Sequence, residues 1–465
     1  MKQKAFWFLF LIAFGLRSFA QQAPARHEFS IQQCIDYAAK NNVDIKNAMV
    51  DVDIQEQQNR SVASAAYPHI NGSFTTQYNP NVTVQTFPNF IAAGTYGVLE
   101  AEGVKNGNGE PITTPTDFGV IQAPFGTAWS ANAGVSLSQI LFDGQVFVGL
   151  QARKTAIDFR QKNVEVTHEM IKTNISKIYY QLSISNEQIA LLDANIGRAQ
   201  KLLNDSRELY KNGFAEKLDV DRATVQVANL ESQKQAAINS ISNGYLGLKL
   251  LMGMPLNDTV VLTDSVTDES IQQGSLNDTY DYKDRLEFQY LSLSQKLNEF
   301  NVRRYKLSKI PTASLNAAYS KLSQGDNFAL SGGTLWFPSS YIGLTVNVPI
   351  FSGFMKNANI EEAKLELQKT NNTIDNFKLT IDYQVDLARN TFTNAVIVMN
   401  SQRKNMELAE EVYNQTKKKY EIGTASTTDI TNTQADLITA QRNYLVALYD
   451  AALAKVDYLR AIGKL

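Results

Sequence analysis

The spacing of apolar residues is repeated in two parts of the chain. In the first part, six residues follow one another at seven-residue steps: Ile175, Leu182, Ile189, Ile196, Leu203 and Tyr210. Adding 210 to each number gives a second run that is apolar at every step: Val385, Phe392, Met399, Met406, Tyr413 and Tyr420. A sustained seven-residue period predicts long helices packed side by side. Its duplication predicts two similar structural halves.

Both runs end in the same short motif, which has the form Tyr-x-x-Gly. It spans Tyr210 to Gly213 in the first copy and Tyr420 to Gly423 in the second. Glycine readily adopts the left-handed conformation that ends helices, so we expect each long helix to stop there and a second helix to return. The pattern predicts helices over 145–211, 215–252, 355–421 and 426–463. At about 1.5 Å per residue, each of the two longest helices would measure roughly 100 Å.

The returning helices begin near residues suited to capping. Asp219 and Asp429 follow the two glycines at the same distance. In the second copy, the segment from Ser426 to Asp429 has the spacing of a capping box. We therefore expect Ser426 and Asp219 to cap the returning helices.

Four other segments alternate between apolar and polar residues. They lie near 69–78, 129–141, 312–320 and 341–350, with two in each half of the chain. Segments of about ten residues with a period of two are typical of membrane β-barrel strands, although strands of soluble sandwiches alternate as well. Residues 79–127 and 321–340 connect the strands as a long and a short loop without a sustained period.

Four strands are too few to close a barrel, because bacterial barrels begin at about eight strands. An open sheet would leave backbone groups unpaired in hydrocarbon, so the chain would have to associate, as two copies with eight strands or three with twelve. Trp129, Trp336 and Phe337 lie where strands meet loops. They would form an aromatic girdle at the membrane surface, or would be ordinary hairpin aromatics.

The first 20 residues resemble a secretory signal peptide. Lys2 and Lys4 precede an apolar run over 5–16, and Ser18 and Ala20 form a small-x-small cleavage site, so the mature chain would begin at Gln21. A retained anchor helix is the alternative, but the apolar run is short of the roughly 20 residues that span a bilayer.

Charge and cysteine content narrow the class of protein further. The net charge of −2 and the pI near 6.1 do not favour binding to nucleic acid. The single cysteine, Cys34, lies on an apolar helical face and predicts packing rather than a disulfide.

The repeated pattern of helices and strands divides the chain into three parts. They are a first repeat over 21–252, a linker over 253–283 that is poor in periodicity, and a second repeat over 284–465.

The sequence contains no recognisable catalytic or metal-binding constellation. The histidines His27, His69 and His168 are far apart. His168 and Glu169 begin like a zinc-protease helix, but Lys172 stands where the second histidine would be needed. We therefore expect no catalytic residues, no cofactor and no metal site.

Several segments of the chain together resemble a known family. The segments that carry the resemblance are 31–38 at the start of the first helix, 66–68 before the first strand, 141–144 with its twin 350–353, and the two Tyr-x-x-Gly motifs. With the order of helices and strands given twice, they are similar to the TolC family of outer-membrane efflux proteins. The resemblance covers nearly all of the mature chain. It implies a mainly α fold with membrane β-structure, in which a trimer forms a twelve-stranded β-barrel continued by a long α-helical barrel.

The resemblance also implies a function and partners. The protein would be the passive exit duct of a tripartite efflux or type I secretion system, in the outer membrane of a Gram-negative bacterium, contacting its lipid. It would receive substrates from an inner-membrane pump and a periplasmic adaptor. The helix tips at Tyr210, Gly213, Tyr420 and Gly423 would dock the adaptor and open as the gate. The two tyrosines would brace neighbouring helices there, or would merely end the apolar stripes.

Asp429 matches one of two family aspartates that ring the tunnel entrance. In such a ring, the carboxylates would attract cations. Alternatively, Asp429 would cap the N-terminus of its helix, where the helix dipole stabilises a negative charge. The two roles are compatible. Asn432 stands in place of the second family aspartate, and Ala425 in place of the family's gate arginine. These differences argue against strong cation selectivity and against an ionic lock.

Two other classes of protein remain as alternatives. An exported coiled-coil scaffold or adhesin without transport activity would account for the heptads, but not for four strands placed alike in two halves. A secreted enzyme would require a cluster of titratable residues, which the sequence does not offer.

Overall fold

The computed structural model describes residues 25–273, 279–328, 330–331 and 335–465. The expected signal peptide over 1–20 and the expected mature start at Gln21 lie outside these residues, as do residues 274–278 of the predicted linker. In the described part of the chain, no helix combines the length and the apolar character needed to cross a membrane.

Four long helices dominate the chain. The two longest are α4 (Gly144–Lys211) and α8 (Met355–Glu421). Each is followed by a returning helix, α5 (Lys217–Met252) or α9 (Thr427–Ala461). The returning helices begin two residues and one residue later than the sequence indicated, because the turn after each glycine extends to residues 216 and 426.

Five shorter helices complete the helical part of the described chain. They are α1 (Ile31–Asn41), α2 (Val43–Ser64), α3 (Phe90–Ala101), α6 (Asp268–Gln272) and α7 (Leu286–Leu307). A short 3₁₀ helix covers Tyr282–Asp284. Helices α2 and α7 each lead into the first strand of their half, so the duplicated order helix, strand, strand, helix, helix is present in the structure.

A four-stranded antiparallel sheet is formed from both halves of the chain. Its strands are β2 (His69–Tyr78), β5 (Trp129–Phe142), β7 (Thr312–Gly325) and β8 (Trp336–Asn347), in that spatial order. The last two differ from the predicted spans of 312–320 and 341–350. Strand β7 continues because its residues pair with β5 as far as Gly325, opposite Trp129, although their side chains no longer alternate in polarity.

The long connection over 79–127 is more ordered than its sequence indicated. It contains β3 (Val84–Pro88) and β4 (Val120–Pro124), which pair as an antiparallel hairpin around α3. Strands of five residues are too short to produce a recognisable period, so only the pairing reveals them.

A second unpredicted element joins the start of the described chain to the linker. Strand β1 (Arg26–Phe29) pairs in parallel with β6 (Thr259–Leu262). The hydroxyl of Tyr179 donates to the carbonyl of Phe29 (3.1 Å) and accepts from the amide of Asp264 (3.0 Å). These bonds attach both strand ends to helix α4.

The chain forms two compact units, and each draws on both repeats. The first comprises 1–57, 152–299 and 364–465, and the second comprises 58–151 and 300–363. The second unit contains the four-stranded sheet. The first contains the hydrophobic cores between the long helices and their returning partners.

The seven-residue stripes line those cores. Ile175, Leu182 and Leu203 are buried on α4, as are Val385, Phe392, Met399 and Tyr413 on α8. The first stripe packs against the returning helix α5 through Leu230 and Leu248, and the second packs against α9 through Leu448 and Ala451. At roughly 1.5–3 kcal/mol for each buried large side chain, these stripes contribute much of the free energy that holds the hairpins together.

Cys34 lies in the first of these cores, as its apolar surroundings in the sequence suggested. The residue is fully buried. Burial, and to a lesser degree the nearby Asp264, raises the pKa of its thiol to about 12. A thiol with so high a pKa is inert at neutral pH.

The returning helices end at a second pair of glycines, 210 positions apart, which the sequence reading did not single out. Gly253 and Gly463 both have positive φ angles, +69° and +72°. A methyl group added to Gly253 would lie 2.4 Å from the carbonyl oxygen of Asn41, and one added to Gly463 would lie 2.7 Å from that of Asp284. Each glycine therefore allows another backbone segment to pack directly on the helix end.

We expect Gly253→Ala to destabilise the protein by about 3–5 kcal/mol, because it adds a backbone clash to the strain of a positive φ. Gly213→Ala is the matched control, since Gly213 has a similar φ of +77° but no atom within 4 Å of the added methyl group. The control should cost only about 1–2 kcal/mol. Thermal unfolding followed by circular dichroism measures both. Equal shifts of Tm would show that the close approach at Asn41 does not matter.

Candidate functional site

The four-stranded sheet has two chemically different faces. Residues paired across the strands share a face, so the register places Ile70, Leu137, Ala317 and Ile342 together on one of them. This apolar face also carries Phe74, Tyr78, Val135, Tyr319, Leu344 and Val346, all more than half exposed. The opposite, polar face is formed mainly by Asn71, Ser73, Thr75, Ser130, Asn132, Ser136, Asn316, Ser320 and Thr345.

The aromatic residues predicted at the strand ends divide between these faces. Trp129 pairs with Tyr78, with ring centroids 4.8 Å apart, and belongs to the apolar face together with Trp336. Phe337 follows Trp336 directly and therefore lies on the polar face, opposite Leu322. The prediction that Phe337 belongs to the same girdle as Trp129 and Trp336 is therefore wrong, because consecutive strand residues point to opposite sides of a sheet.

The tips of the two hairpins have the same backbone geometry. At the first tip, Gly213 (φ +77°) donates to the carbonyl of Tyr210 (3.0 Å). At the second, Gly423 (φ +79°) donates to the carbonyl of Tyr420 (3.0 Å). In both copies the next amide bonds to a carbonyl five residues earlier, which completes a Schellman motif. The Tyr-x-x-Gly motifs are therefore helix C-caps.

The two tyrosines differ in their surroundings. Tyr210 is about half exposed. Tyr420 is partly buried against a cluster that includes Leu202, Tyr413 and Ile430, and its hydroxyl is buried without a hydrogen-bond partner among the described residues. Only Tyr420 has contacts that fit bracing against a neighbouring helix.

A groove of about 1070 Å³ lies between the two tips. It brings together five of the residues singled out in the sequence, namely Asp219, Tyr420, Gly423, Ala425 and Ser426. Its charged lining consists of Asp205, Glu208, Glu216, Asp219, Glu421 and Arg222. Five carboxylates against one guanidinium make the groove a favourable site for a cationic surface.

Two large apolar side chains are exposed at this groove: Phe214 belongs to its lining, and Ile422 lies next to the lining residues Glu421 and Gly423. Phe214 is 82% exposed and Ile422 is 75% exposed, one directly after Gly213 and the other directly before Gly423. Side chains of this size gain free energy when another surface covers them. The sequence did not reveal the exposure of these tip residues, because it depends on the turn geometry.

Asp429 is part of the N-terminal cap of α9. Its carboxylate accepts hydrogen bonds from the amide (2.9 Å) and the hydroxyl (2.7 Å) of Ser426. The Ser426 hydroxyl in turn accepts from the amide of Asp429 (3.1 Å). These bonds, first from the amide and then from the hydroxyl, hold the pKa of the Asp429 carboxyl below its ordinary value of 3.8.

Asp429 and Asn432 are exposed and lie one helical turn apart, so they share a face of α9 outside the groove. Asp219 occupies the position in α5 that corresponds to Asp429. Its carboxylate accepts from the amide of Glu216 at 3.4 Å, a longer bond than the one at Asp429. Both caps thus share the bond from the N-cap amide to the aspartate carboxylate, but the amide of Asp219 donates to the backbone carbonyl of Glu216 (3.1 Å), whereas that of Asp429 donates to the Ser426 side chain.

A buried polar network joins the two hairpins above the tips. Asn195 on α4 donates to the side chain of Gln441 on α9 (2.8 Å) and accepts from Arg198 (2.8 Å). The backbone carbonyl of Asn195 accepts from Gln434 (3.4 Å). Asn195, Gln434 and Gln441 are all buried. The sequence reading missed them, although the seven-residue spacing of Gln434 and Gln441 was an available signal.

Within the described ranges, no group of three histidine, cysteine, aspartate or glutamate side chains is placed to hold a metal ion. The geometry instead offers surfaces: a two-faced sheet, an acidic groove and exposed apolar tips.

Comparisons with known proteins agree with this arrangement. A family model described as "Outer membrane efflux protein" matches residues 34–254 and 311–464. The chain is 21% identical over 435 residues to the outer membrane efflux protein BepC of Brucella suis, covering 92% of this chain and 84% of BepC. It is 18% identical over 339 residues to the outer membrane protein TolC of Vibrio cholerae, covering 72% and 77%.

The fold is also similar to that of solved channels. The crystal structure of the Campylobacter jejuni CmeC outer membrane channel matches with a TM-score of 0.69 and 18% identity, over 93% of this chain and 85% of that chain.

We expect Ser426→Ala to weaken the first turn of α9 by about 1 kcal/mol, since the amide of Asp429 loses its acceptor. Hydrogen exchange of the amides over 427–433 at neutral pH should become roughly fivefold faster. Thr427→Ala is the control, because the Thr427 hydroxyl takes no part in the cap. Unchanged exchange in Ser426→Ala would contradict the capping role.

The same cap should depend on pH in a defined direction. The folded-state pKa of Asp429 is below the unfolded value of 3.8, so its contribution is fully present above that pH. It should be lost as the pH falls below 3.8 through the folded-state pKa. In Ser426→Ala the titration of Asp429, followed by NMR, should move up towards 3.8.

Proposed function

Because the chain belongs to the outer membrane efflux protein family, we propose that it is a passive outer-membrane exit duct. It would serve a tripartite efflux or type I secretion system of a Gram-negative bacterium. The observation that best supports this function is the sheet with one exposed apolar face and one polar face. Such a sheet suits a wall between lipid and a water-filled lumen. A coiled-coil scaffold or adhesin would have no use for it.

The sheet also supports assembly from several copies. Strands β2 and β8 are at its two edges, where backbone donors and acceptors are left for another strand. Leaving these groups unpaired in hydrocarbon would cost several kcal/mol each, so β2 of one copy would pair with β8 of the next. Three copies would give the twelve-stranded barrel that the family resemblance implies.

The tips are the proposed docking site for a periplasmic adaptor. The acidic groove would receive a basic surface of the adaptor, and Phe214 and Ile422 would be covered by apolar residues. An aromatic anchor such as Phe214 often contributes a large share of the binding free energy of an interface. Gly213 and Gly423 would keep both turns in the geometry that presents these side chains.

Passage through the duct needs no chemistry in this chain. Energy would come from the inner-membrane pump, and the tips would act as the gate. With three copies around one axis, Asp429 would form a ring of carboxylates at the entrance, next to a ring of Asn432 amides. Because Asn432 is uncharged, the ring would favour cations only moderately.

The assembly is tested by fractionation. We expect the protein in the outer-membrane fraction as a trimer that dissociates on heating in detergent, and as a conducting pore in planar lipid bilayers. Cells that lack the gene should become more sensitive to drugs, metals or detergents, or should stop secreting a protein. A soluble, monomeric mature protein would contradict the proposed function.

Docking is tested at the exposed tips. Phe214→Asp and Ile422→Asp should each weaken the function by about tenfold, which corresponds to roughly 1.4 kcal/mol of binding free energy. The readout is the drug concentration that stops growth, or the amount of protein secreted. Leu250→Asp is a matched control, because Leu250 is 74% exposed but lies at the other end of α5. Normal function in both tip variants would exclude the tips as the docking site.

A further inference from the structure

We propose that Lys321 binds a phosphate group of the glycolipid in the outer leaflet of the outer membrane. This inference rests on the proposed function, because it requires the apolar face of the sheet to contact lipid. It adds a lipid-binding site to the duct.

Lys321 is the only lysine, arginine, aspartate or glutamate within strands β2, β5, β7 and β8. It pairs with Ala133 on β5 and with Pro338 on β8, so it lies on the apolar face. The side chain is exposed and forms no ion pair or hydrogen bond with any residue the structure describes. A charge on a lipid-facing surface is unfavourable at the middle of a bilayer and costs almost nothing near its edge. Lys321 is therefore expected near the edge.

The residues along the apolar face place Lys321 at that edge. Ile342, Leu344 and Val346 form an aliphatic stripe that is 55–82% exposed, and exposed Val348 and Ile350 follow it towards helix α8. Along β8 from Val346 to Pro338, the partner of Lys321, the strand covers about 26 Å, or roughly 20 Å along the membrane normal at a strand tilt of about 40°. With Val348 and Ile350 beyond its other end, this length nearly accounts for the apolar band of about 25 Å found in such barrels, so Lys321 lies at the edge of the band.

Beyond the stripe, the face changes in the order expected at a membrane surface. The next row pairs Tyr319 with Ser340, the row after it contains Lys321, and Trp336 follows. Pro338, the partner of Lys321, lies four residues from Ile342, or about 10 Å along the membrane normal. Headgroups occupy roughly the first 5–7 Å outside the hydrocarbon, so the long side chain can place its ammonium among their phosphates.

The neighbours of Lys321 suit a phosphate ligand. Tyr319 lies two residues away on the same strand and same face, with its ring about half exposed, and Ser340 is exposed opposite Tyr319. The ammonium and these two hydroxyls can donate hydrogen bonds to phosphate oxygens. The four strands contain no carboxylate that would compete for the ammonium.

This row is nearer to the interstrand loops than to the helices, because β7 continues to Gly325 and the short loop before β8. In the proposed duct the helices extend into the periplasm, so the loops and Lys321 face the outside. The leaflet on that side is rich in glycolipid that carries phosphate groups. Its phosphate, rather than that of an inner-leaflet phospholipid, is the ligand that this position favours.

Binding of bisphosphorylated lipid A to the detergent-solubilised trimer tests the proposal by native mass spectrometry. Lys321→Gln should weaken binding about fivefold, which corresponds to roughly 1 kcal/mol for one lysine near an anionic surface. Lys321→Arg should retain binding. Lys309→Gln is the matched control, since Lys309 is exposed near the opposite end of β7, and it should bind as the unaltered protein does.

Dephosphorylated lipid A identifies the group that is bound. Removing the phosphates should weaken binding to the unaltered protein by the same factor as Lys321→Gln, and should have little further effect on that variant. Equal binding of both lipids, or equal binding by the unaltered protein and Lys321→Gln, would overturn the proposal. Tighter binding of phosphatidylglycerol than of lipid A would also overturn it.

Failure of this inference can be told apart from failure of the proposed function. Heat-modifiable trimers in the outer membrane and normal efflux, together with lipid binding that is independent of Lys321, would refute the lipid site alone. A soluble monomer would refute the duct and the lipid site together.

Discussion

The packing of two apolar stripes against their returning helices is the interaction on which the rest of the structure depends. Helices as long as α4 and α8 cannot be held by local propensity, because most helical stability in proteins comes from burying one face. The seven-residue repeat buries Ile175 and Leu182 on one helix and Val385 and Phe392 on the other. Once these hairpins form, their ends are fixed, and the turns at Gly213 and Gly423 present the same geometry twice.

The two copies therefore agree in backbone geometry but differ in the side chains around it. Both tips have the same Schellman hydrogen bonds, and both returning helices end at a glycine that another backbone approaches. The side chains around these shared turns differ, with Phe214 after one glycine and Ile422 before the other, and with a tighter cap at Asp429 than at Asp219. The two turns thus have the same backbone geometry, and their different side chains give each tip a different surface for a partner.

The long helices and the four alternating strands could be predicted from the sequence, because each has a period that can be counted. It failed where pairing replaced periodicity. Strand β7 extends to Gly325 because β5 supplies hydrogen-bond partners, and β1 exists only because β6 lies beside it. The polar contacts of Asn195 with Gln441 were missed for a related reason, since they join residues 246 positions apart.

The sequence by itself determined the duplicated architecture, the likeness to outer-membrane efflux proteins, the glycine turns and the residues that cap α9, because these follow from local spacing and backbone preference. The tertiary structure decided which of those residues meet. It gathered Asp219, Tyr420, Gly423 and Ser426 around one acidic groove and left Asp429 and Asn432 on another face. It also separated Trp336 from Phe337 and placed Lys321 on the apolar face. Such assignments depend on strand register and helix packing, which are set by contacts between distant residues.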